Sequence, residues 1–353
     1  MGPYTFLACA LDELGEENWL SFISTRRSTI YHHPLWHRTI ERTYGIKPLY
    51  VVMTDVTGVI KAAVPGAVVR TMTGAKRFVS FPFSDVCGPV ADGPHEFGLI
   101  AGTLASVNDL PEKTWSQSEL RTENAPALEK YSEYKGYCGH ILKLGRPIDD
   151  VFDSFHKDCV QRRIRKAFRA GLEVYEGSTI SDMKDFYGLH LITRKKIGAP
   201  VQPFSFFRNL WELLSTEGHI SLLIVKKRKT PVSGVVMLKY RKRAIYKFGA
   251  SDENFLNLGG NQLALWTAIK KASVDGFLEF DFGRSFSGNR GLNDFKARWG
   301  ADEVRLSYLY SPEKNIGLKD EGGTCGRIAS AVFRKLPPLS NRLIGRLFYK
   351  YLA

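Results

Sequence analysis

The sequence has no CxxC pair: its five cysteines, Cys9, Cys87, Cys138, Cys159 and Cys325, are odd in number and scattered over 353 residues. That pattern excludes a disulfide framework and a zinc ribbon, and it fits a reducing compartment. There is no GxSxG elbow, no Cys/His constellation and no HExxH helix, so a serine hydrolase, a thiol nucleophile and a zinc protease are set aside. No apolar run approaches the ~20 residues that span a bilayer. The short amino-terminal run FLACAL lacks a basic region and is followed by acids, so a cytoplasmic protein is expected. Sustained heptads are missing too, which excludes a long coiled-coil arm. Acids are in deficit: Lys plus Arg number 50 against 36 Asp plus Glu, a net charge of +14. Such an excess predicts a positive field that attracts phosphates, nucleic acid or an anionic membrane surface.

What is present is an ordinary globular composition, 44% hydrophobic, on a chain long enough for two cores. Residues 14–28 form a predicted helix around Trp19 and Ile23. In 31–44, Pro34 suits a helix start and Trp36, Ile40 and Tyr44 share a face, with Arg38 and Arg42 on another. His33 and His37 have the spacing of helical metal ligands but no companion carboxylate, so capping or surface roles are expected and no metal site is assigned. Strands at 49–53 and 62–70 flank a turn at 55–58, and a strand at 78–83 bends at Pro82. A helix over 96–108 and a strand over 137–144 complete this half. Gly145, Arg146 and Pro147 then punctuate the chain, and Asp149 and Asp150 suit a helix amino end. The expected domains are therefore 1–147 and 148–319.

The second half repeats this outline: helices, a hairpin from 220–226 and 232–240, a further strand, then a helix. Arg162, Arg165, Lys166 and Arg169 recur at helical spacing opposite Ile164, Ala167 and Phe168, either as a solvated face or as a surface for a polyanion. Gly259, Gly260 and Asn261 open the helix 262–272. Free N–H groups there can bind phosphate, or the glycines are simply a turn capped by Asn261. Most signals converge in GFLEFDFGRSFSGNRGLNDFKARWGADEVRLSYLY, residues 276–310. It reads as a strand, a Gly-rich loop, a short helix capped by Asn293 or Asp294, and a closing strand. Phe295 and Trp299 stand on the buried side of that helix, and Lys296 is turned toward a neighbouring face. Past 317–326 a linker leads to a final helix with Leu339, Leu343, Leu347 and Tyr351 on one stripe and Arg342, Arg346 and Lys350 on another.

DFGRS, FKARWG and LSYLY together resemble the FemAB family of aminoacyl and acyl transferases, and the subgroup most similar is the one associated with exosortase and exopolysaccharide clusters. YHHPLWHRTIERTYG, FVSFPFSDVCGPV, RRIRKAFRAGLEV, TRKKIGAP, YKFGASDE and LGGNQLALW follow the family pattern in order, over residues 30–310. The resemblance implies an α/β (α+β) protein of two tandem GNAT-like domains, each a mixed, mostly antiparallel sheet flanked by helices. It also implies that the segment 320–353 packs back on the first domain, with contact to an anionic membrane as the other choice.

In function, the resemblance implies amide formation on an amine of a peptidoglycan-precursor or sugar- or lipid-linked acceptor, with aminoacyl-tRNA as donor and no resident cofactor. Lys296 would hold the donor's terminal phosphate near the reacting ester, and Asp281 is the nearest candidate proton acceptor. Arg284, Arg298, Tyr246, Lys247, Arg194, Lys195, Trp36 and Arg38 fall in segments that line the family's acceptor pocket, where an anionic phosphorylated precursor binds. Gly259, Gly260, Asn261 and the cations of 162–169 would face donor phosphate or transfer RNA. In a GNAT acetyltransferase the glycine turn holds the pyrophosphate of coenzyme A, but the Q/R-x-x-G-x-G/A pattern is missing here. Direct attack fits the lack of a nucleophile motif. An acyl-CoA or carrier-protein thioester donor is the competing expectation, and a non-catalytic RNA- or membrane-binding module is the third.

Overall fold

One chain trace occurs twice: antiparallel strands in a meander, a helix, then a strand parallel to the meander's last strand. The computed structural model describes residues 4–71, 74–107, 114–312, 324–335, 344–345 and 349–352. Two compact units result. One holds Met1–Tyr137, Arg305–Leu318 and Lys350–Ala353, and the other Cys138–Val304 and Lys319–Tyr349.

In the first unit β1 (Tyr4–Cys9) leads through α1 (Leu11–Leu14), α2 (Glu16–Ser24) and α3 (Pro34–Tyr44) to β2 (Leu49–Asp55), β3 (Ile60–Arg70) and β4 (Lys76–Val79), with β5 (Val90–Ala91) bridging to β3. α4 (Pro94–Val107) then crosses to β6 (Ser118–Glu123), which runs parallel to β4. Pro34 stands at the first helical position of α3, where its missing N–H costs nothing, and the His33 ring nitrogen accepts from the Leu35 amide at 3.3 Å. His37, expected on the surface, is buried between the Tyr50 hydroxyl at 2.5 Å and the Tyr31 carbonyl at 2.9 Å. β7 (Ser132–Lys143) carries the chain onward.

The second unit begins with α5 (Ile148–Asp153), a π-helical turn at Lys157–Gln161 and α6 (Arg162–Arg169). The meander is β8 (Leu172–Gly177), then α7 (Ile180–Ile197) and α8 (Phe204–Leu214), then β9 (Ile220–Lys227), β10 (Thr230–Tyr240) and β11 (Arg243–Ser251). α9 (Gly260–Val274) crosses to β12 (Glu279–Asp281), parallel to β11 and antiparallel to the second half of β7. Thr179 and Asp182 form a capping box on α7, and Gly198 ends that helix in the left-handed conformation. β13 (Ser285–Phe286) and α10 (Arg290–Ala297) follow, before β14 (Asp302–Ser311) pairs with β6 in the first unit and α11 (Thr324–Lys335) packs on α7 in the second. The core of the second unit joins Leu142, Val151, Phe155 and Ile164 to Leu265, Ile269, Phe280, Phe282 and Trp299.

Several boundaries differ from the sequence reading. The chain changes unit at 137/138, not 147/148, because Ile141–Lys143 pair with Glu279–Asp281. Leu306–Ser311, expected in the second domain, go with the first unit because they pair with β6. Of the segment 320–353, expected on the first domain, the described helix α11 packs on α7 of the second unit, while Lys350 groups with the first. Leu339, Leu343, Leu347, Arg342 and Arg346 of the predicted last helix, and most of the linker, lie outside the described residues. Asn289, not Asn293 or Asp294, caps α10, accepting from the Leu292 amide at 3.2 Å. Phe168, read as inward, is 59% exposed.

Gly259 has φ +85°, and a Cβ there would meet the Arg163 carbonyl oxygen at 2.5 Å, whereas Gly218 has φ +69° and open space. Gly218→Ala is therefore expected to cost the ~1 kcal/mol of left-handed strain. Gly259→Ala should cost clearly more, since α6 must also shift, and urea denaturation midpoints of the two variants check the order.

Burial pushes the His190 imidazole down to about 3 and that of His32 to about 4. Unfolded, both titrate near ~6.5, so the folded pKa is depressed. Their contribution is whole above that pH and is lost as pH falls, because the unfolded chain takes protons that the native state refuses. Between pH 6.5 and 4 each should remove about 1.4 kcal/mol per pH unit. His190→Gln is expected to flatten the drop in urea midpoint between pH 7 and 5 by one proton's share.

Candidate functional site

The second unit concentrates its chemistry where β12 ends. β11 pairs with β12 only over Arg243–Ile245 and Glu279–Asp281, then runs on to Ser251, while the chain beyond Asp281 turns at Gly283, φ +70°. Thr193 fixes the far end of β11, its hydroxyl accepting from the Ser251 amide at 2.9 Å. α10 closes the turn. Trp299 just past its end is fully buried against Phe155, ring centroids 5.0 Å apart, and that anchor sets the helix's orientation.

Lys296, in the last turn of α10, follows from this placement. It is 3% exposed, and its Nζ donates to the Gly283 carbonyl at 2.6 Å. A buried ammonium is costly unless it is bonded and electrostatically matched, so a lysine held this way is positioned to meet negative charge. Tyr246 of β11 packs its ring 6.5 Å from that of Phe282, and its hydroxyl pKa is pushed up to about 12 by burial. Gly249 makes room for it, since a Cβ there would fall 1.7 Å from the Tyr246 hydroxyl oxygen.

Beside Lys296 stands a group that the sequence reading missed. Cys138 and His140, two apart on β7 and so on one face, meet Glu303 of β14, with one ligand-capable atom of each within 4.8 Å of the others. The His140 Nε2 lies 3.8 Å from a Glu303 carboxylate oxygen, and its buried Nδ1 has no hydrogen-bond partner. Burial and then the Lys296 charge push its pKa down, against the pull of Glu303. Burial, then Glu303, pushes the Cys138 thiol up, and its Sγ lies 3.6 Å from Asn293 Oδ1. The trio has metal-ligand spacing, but the neighbouring Lys296 ammonium opposes a dication there. The alternation of Cys138 and His140 in the stretch YCGHIL puts those two on one face, but nothing in the sequence joins them to Glu303.

The other expected residues divide sharply. Asp281 accepts from the Gly283 amide at 2.8 Å and pairs with Arg243 at 3.6 Å, while Glu279 takes the same guanidinium at 2.8 Å. It is a structural acid. Arg284 is half-buried beside the turn, whereas Arg298 is exposed at the end of α10, its carbonyl accepting from the His156 amide. Lys247 follows Tyr246 on β11 with its Nζ 5.9 Å from the Phe248 ring centroid. Arg194 donates twice to the Pro200 carbonyl, at 3.0 and 2.8 Å, tying down its loop, while Lys195 is exposed. In the first unit Trp36 has no exposed surface and donates to Ser84, and Arg38 pairs with Glu16, so Trp36 is a core residue and no ligand wall.

The glycine turn is closed. Gly259 and Gly260 are buried, α6 covers the turn through the Arg163 carbonyl, and Asn261 accepts from Ser233 at 2.6 Å. Arg165, Lys166 and Arg169 of α6 are exposed, as is Arg162, which pairs with Asp158 at 3.2 Å. That face therefore has one compensating acid, which the sequence reading did not count.

Residues 155–297, within the second unit, match the family model described as an acetyltransferase (GNAT) domain. Among solved structures, FemX has this fold over 88% of the chain and 98% of its own, with a TM-score of 0.66 at 14% identity. A tandem GNAT protein from the clavulanic acid biosynthesis pathway matches 88% of the chain and 99% of its own, at TM-score 0.56 and 12% identity. L-PGS from Bacillus licheniformis matches 94% and 96%, at TM-score 0.54 and 14% identity. The architecture is the two-domain GNAT fold, the one expected from the FemAB resemblance. No curated protein matches the chain in a sequence comparison.

Asp281→Ala should lower unfolding free energy by about 1–3 kcal/mol, because a guanidinium and an amide lose an acceptor. Acyl transfer per folded molecule should stay near wild type. A loss above about tenfold with an unchanged urea midpoint would return Asp281 to the reaction.

Proposed function

We propose that the protein is a FemAB-like transferase that forms an amide on an amine of a cell-envelope precursor, with aminoacyl-tRNA as donor. The observation that carries this reading is the Lys296 ammonium, buried at the end of α10 and bonded to the Gly283 carbonyl. Acyl transfer passes through an oxyanion, and a cation fixed in a dry site stabilises such charge without reorganising. The same ammonium can hold a donor phosphate beside the reacting ester. No resident cofactor is needed for direct attack by an amine.

The donor is argued from two neighbouring features. The closed turn at Gly259 leaves no open helix amino end for a pyrophosphate, which weighs against a coenzyme A donor. On α6, Arg165, Lys166 and Arg169 are exposed together with the Phe168 ring, a cationic and stacking surface suited to a nucleic acid. The thioester reading stays in view because the domain match is to acetyltransferases. An anionic, phosphorylated envelope acceptor fits the net charge of +14. Among the described residues no helix is long and apolar enough to cross a membrane, so contact with the inner membrane face would be peripheral.

A mass-spectrometric survey of charged transfer RNAs and acyl thioesters against envelope amines tests the reading. Transfer from charged transfer RNA should vanish on ribonuclease treatment, and Lys296→Met should lower kcat by ~10²–10³. Alanine at Arg165, Lys166 and Arg169 together should cut the slope of log affinity against log salt by about two to three. Ribonuclease-resistant transfer from a thioester would select the other donor, and full activity of Lys296→Met would remove the catalytic reading.

A further inference from the structure

His140 is 1% exposed, sits on β7 opposite Phe282, whose amide bonds its carbonyl at 2.9 Å, and leaves Nδ1 buried with no partner. A buried imidazole nitrogen left unpaired costs about 1–3 kcal/mol, so its retention calls for a use. The charged and titratable groups facing it come from three elements: Cys138 of β7, Lys296 of α10 and Glu303 of β14. Cys138 is a poor nucleophile, its thiol pKa raised by burial and its Sγ near Asn293 Oδ1. Asp281 is taken by Arg243. Glu303 is different, with its side chain 65% exposed although its carboxylate reaches to 3.8 Å from the His140 Nε2.

We propose that His140 is the proton acceptor of the transfer reaction and that Glu303 passes the proton on to solvent, an inference that rests on the amide-forming reading above. In the step, the acceptor amine forms the C–N bond while the donor's C–O or C–S bond breaks. The leaving oxygen or sulfur takes that electron pair and is reprotonated by water. The surplus proton of the amine goes to His140 Nδ1, and the Nε2 proton moves to the Glu303 carboxylate and then to water. Lys296 on the other side keeps the imidazole from holding its charge, and once the product has left, water takes the Nδ1 proton while Glu303 returns one to Nε2, restoring the starting tautomer for the next cycle.

His140→Gln should lower kcat by ~10² with little change in acceptor KM, and should erase the acid limb of the pH–rate profile. Glu303→Gln should shift that limb to lower pH, because the carboxylate raises the imidazole's proton affinity. An independent readout is the NMR titration of ring-labelled histidine in the full chain, where Lys296→Met should raise the His140 pKa and Glu303→Gln lower it. A His140→Gln enzyme with wild-type kcat and acid limb, or a His140 resonance indifferent to both neighbours, overturns the proposal. Should His140→Gln not fold, the exposed Glu303→Gln carries the kinetic test. If the wild type transfers nothing to any amine, the functional reading fails, and the relay fails with it as a catalytic device. A normal wild-type rate with an unmoved profile in both variants sinks the relay alone.

Discussion

A lysine ammonium held out of water against the Gly283 carbonyl is the constraint on which the rest of the second unit depends. Lys296 would flex into solvent on an unanchored helix, gaining hydration and losing aim. Trp299, three residues on and fully buried against Phe155, prevents that, and Gly283 with its left-handed φ turns the acceptor carbonyl toward the cation. The Gly283 carbonyl at 2.6 Å fixes where that ammonium sits. On the proposed reading, a negative charge arriving from a donor phosphate or an oxyanion would be bound more strongly by this buried cation than by a surface lysine.

The two units use similar ion pairs at the same point in the fold. Where β6 runs parallel to β4, buried Glu119 is bonded by Arg121 at 2.8 Å and Arg77 at 3.2 Å. Where β12 runs parallel to β11, Glu279 and Asp281 share Arg243. In the first unit the pairing sits without a counterpart of the α10 lysine beside it among the described residues. Acid–arginine pairs at the parallel junction thus belong to the scaffold, and Asp281 is read the same way. The charged neighbours of His140 are instead Glu303 and Lys296, and the proposed relay is built on that difference.

Much of the fold was legible because its signals are local. Pro34 at the start of α3 and the apolar hairpin of β9 and β10 follow from backbone chemistry that neighbouring residues decide. The FKARWG segment likewise announced an aimed lysine. What escaped was long-range. Cys138, His140 and Glu303 are joined only by strand pairing, so no spacing rule reveals them, and the ring of Trp36 looked like a ligand wall until its indole N–H found Ser84. The boundary at 137/138 was hidden for the same reason, since β7 continues unbroken through it and the punctuation at Gly145 to Pro147 comes later.

The position of α6 links donor choice to packing. Ile164 and Ala167 bury one side of that helix, and the Arg163 carbonyl lies over Gly259 at the mouth of α9. Packing in this way turns Arg162, Arg165, Lys166 and Arg169 outward. One arrangement thereby closes a backbone anion site and exposes a row of side-chain cations. Backbone amides at a helix end suit a compact pyrophosphate, whereas guanidinium groups spread along a helix suit phosphates spaced along a chain. The closure would gain nothing for a coenzyme A enzyme, and it supports a donor whose phosphates extend beyond the reacting group.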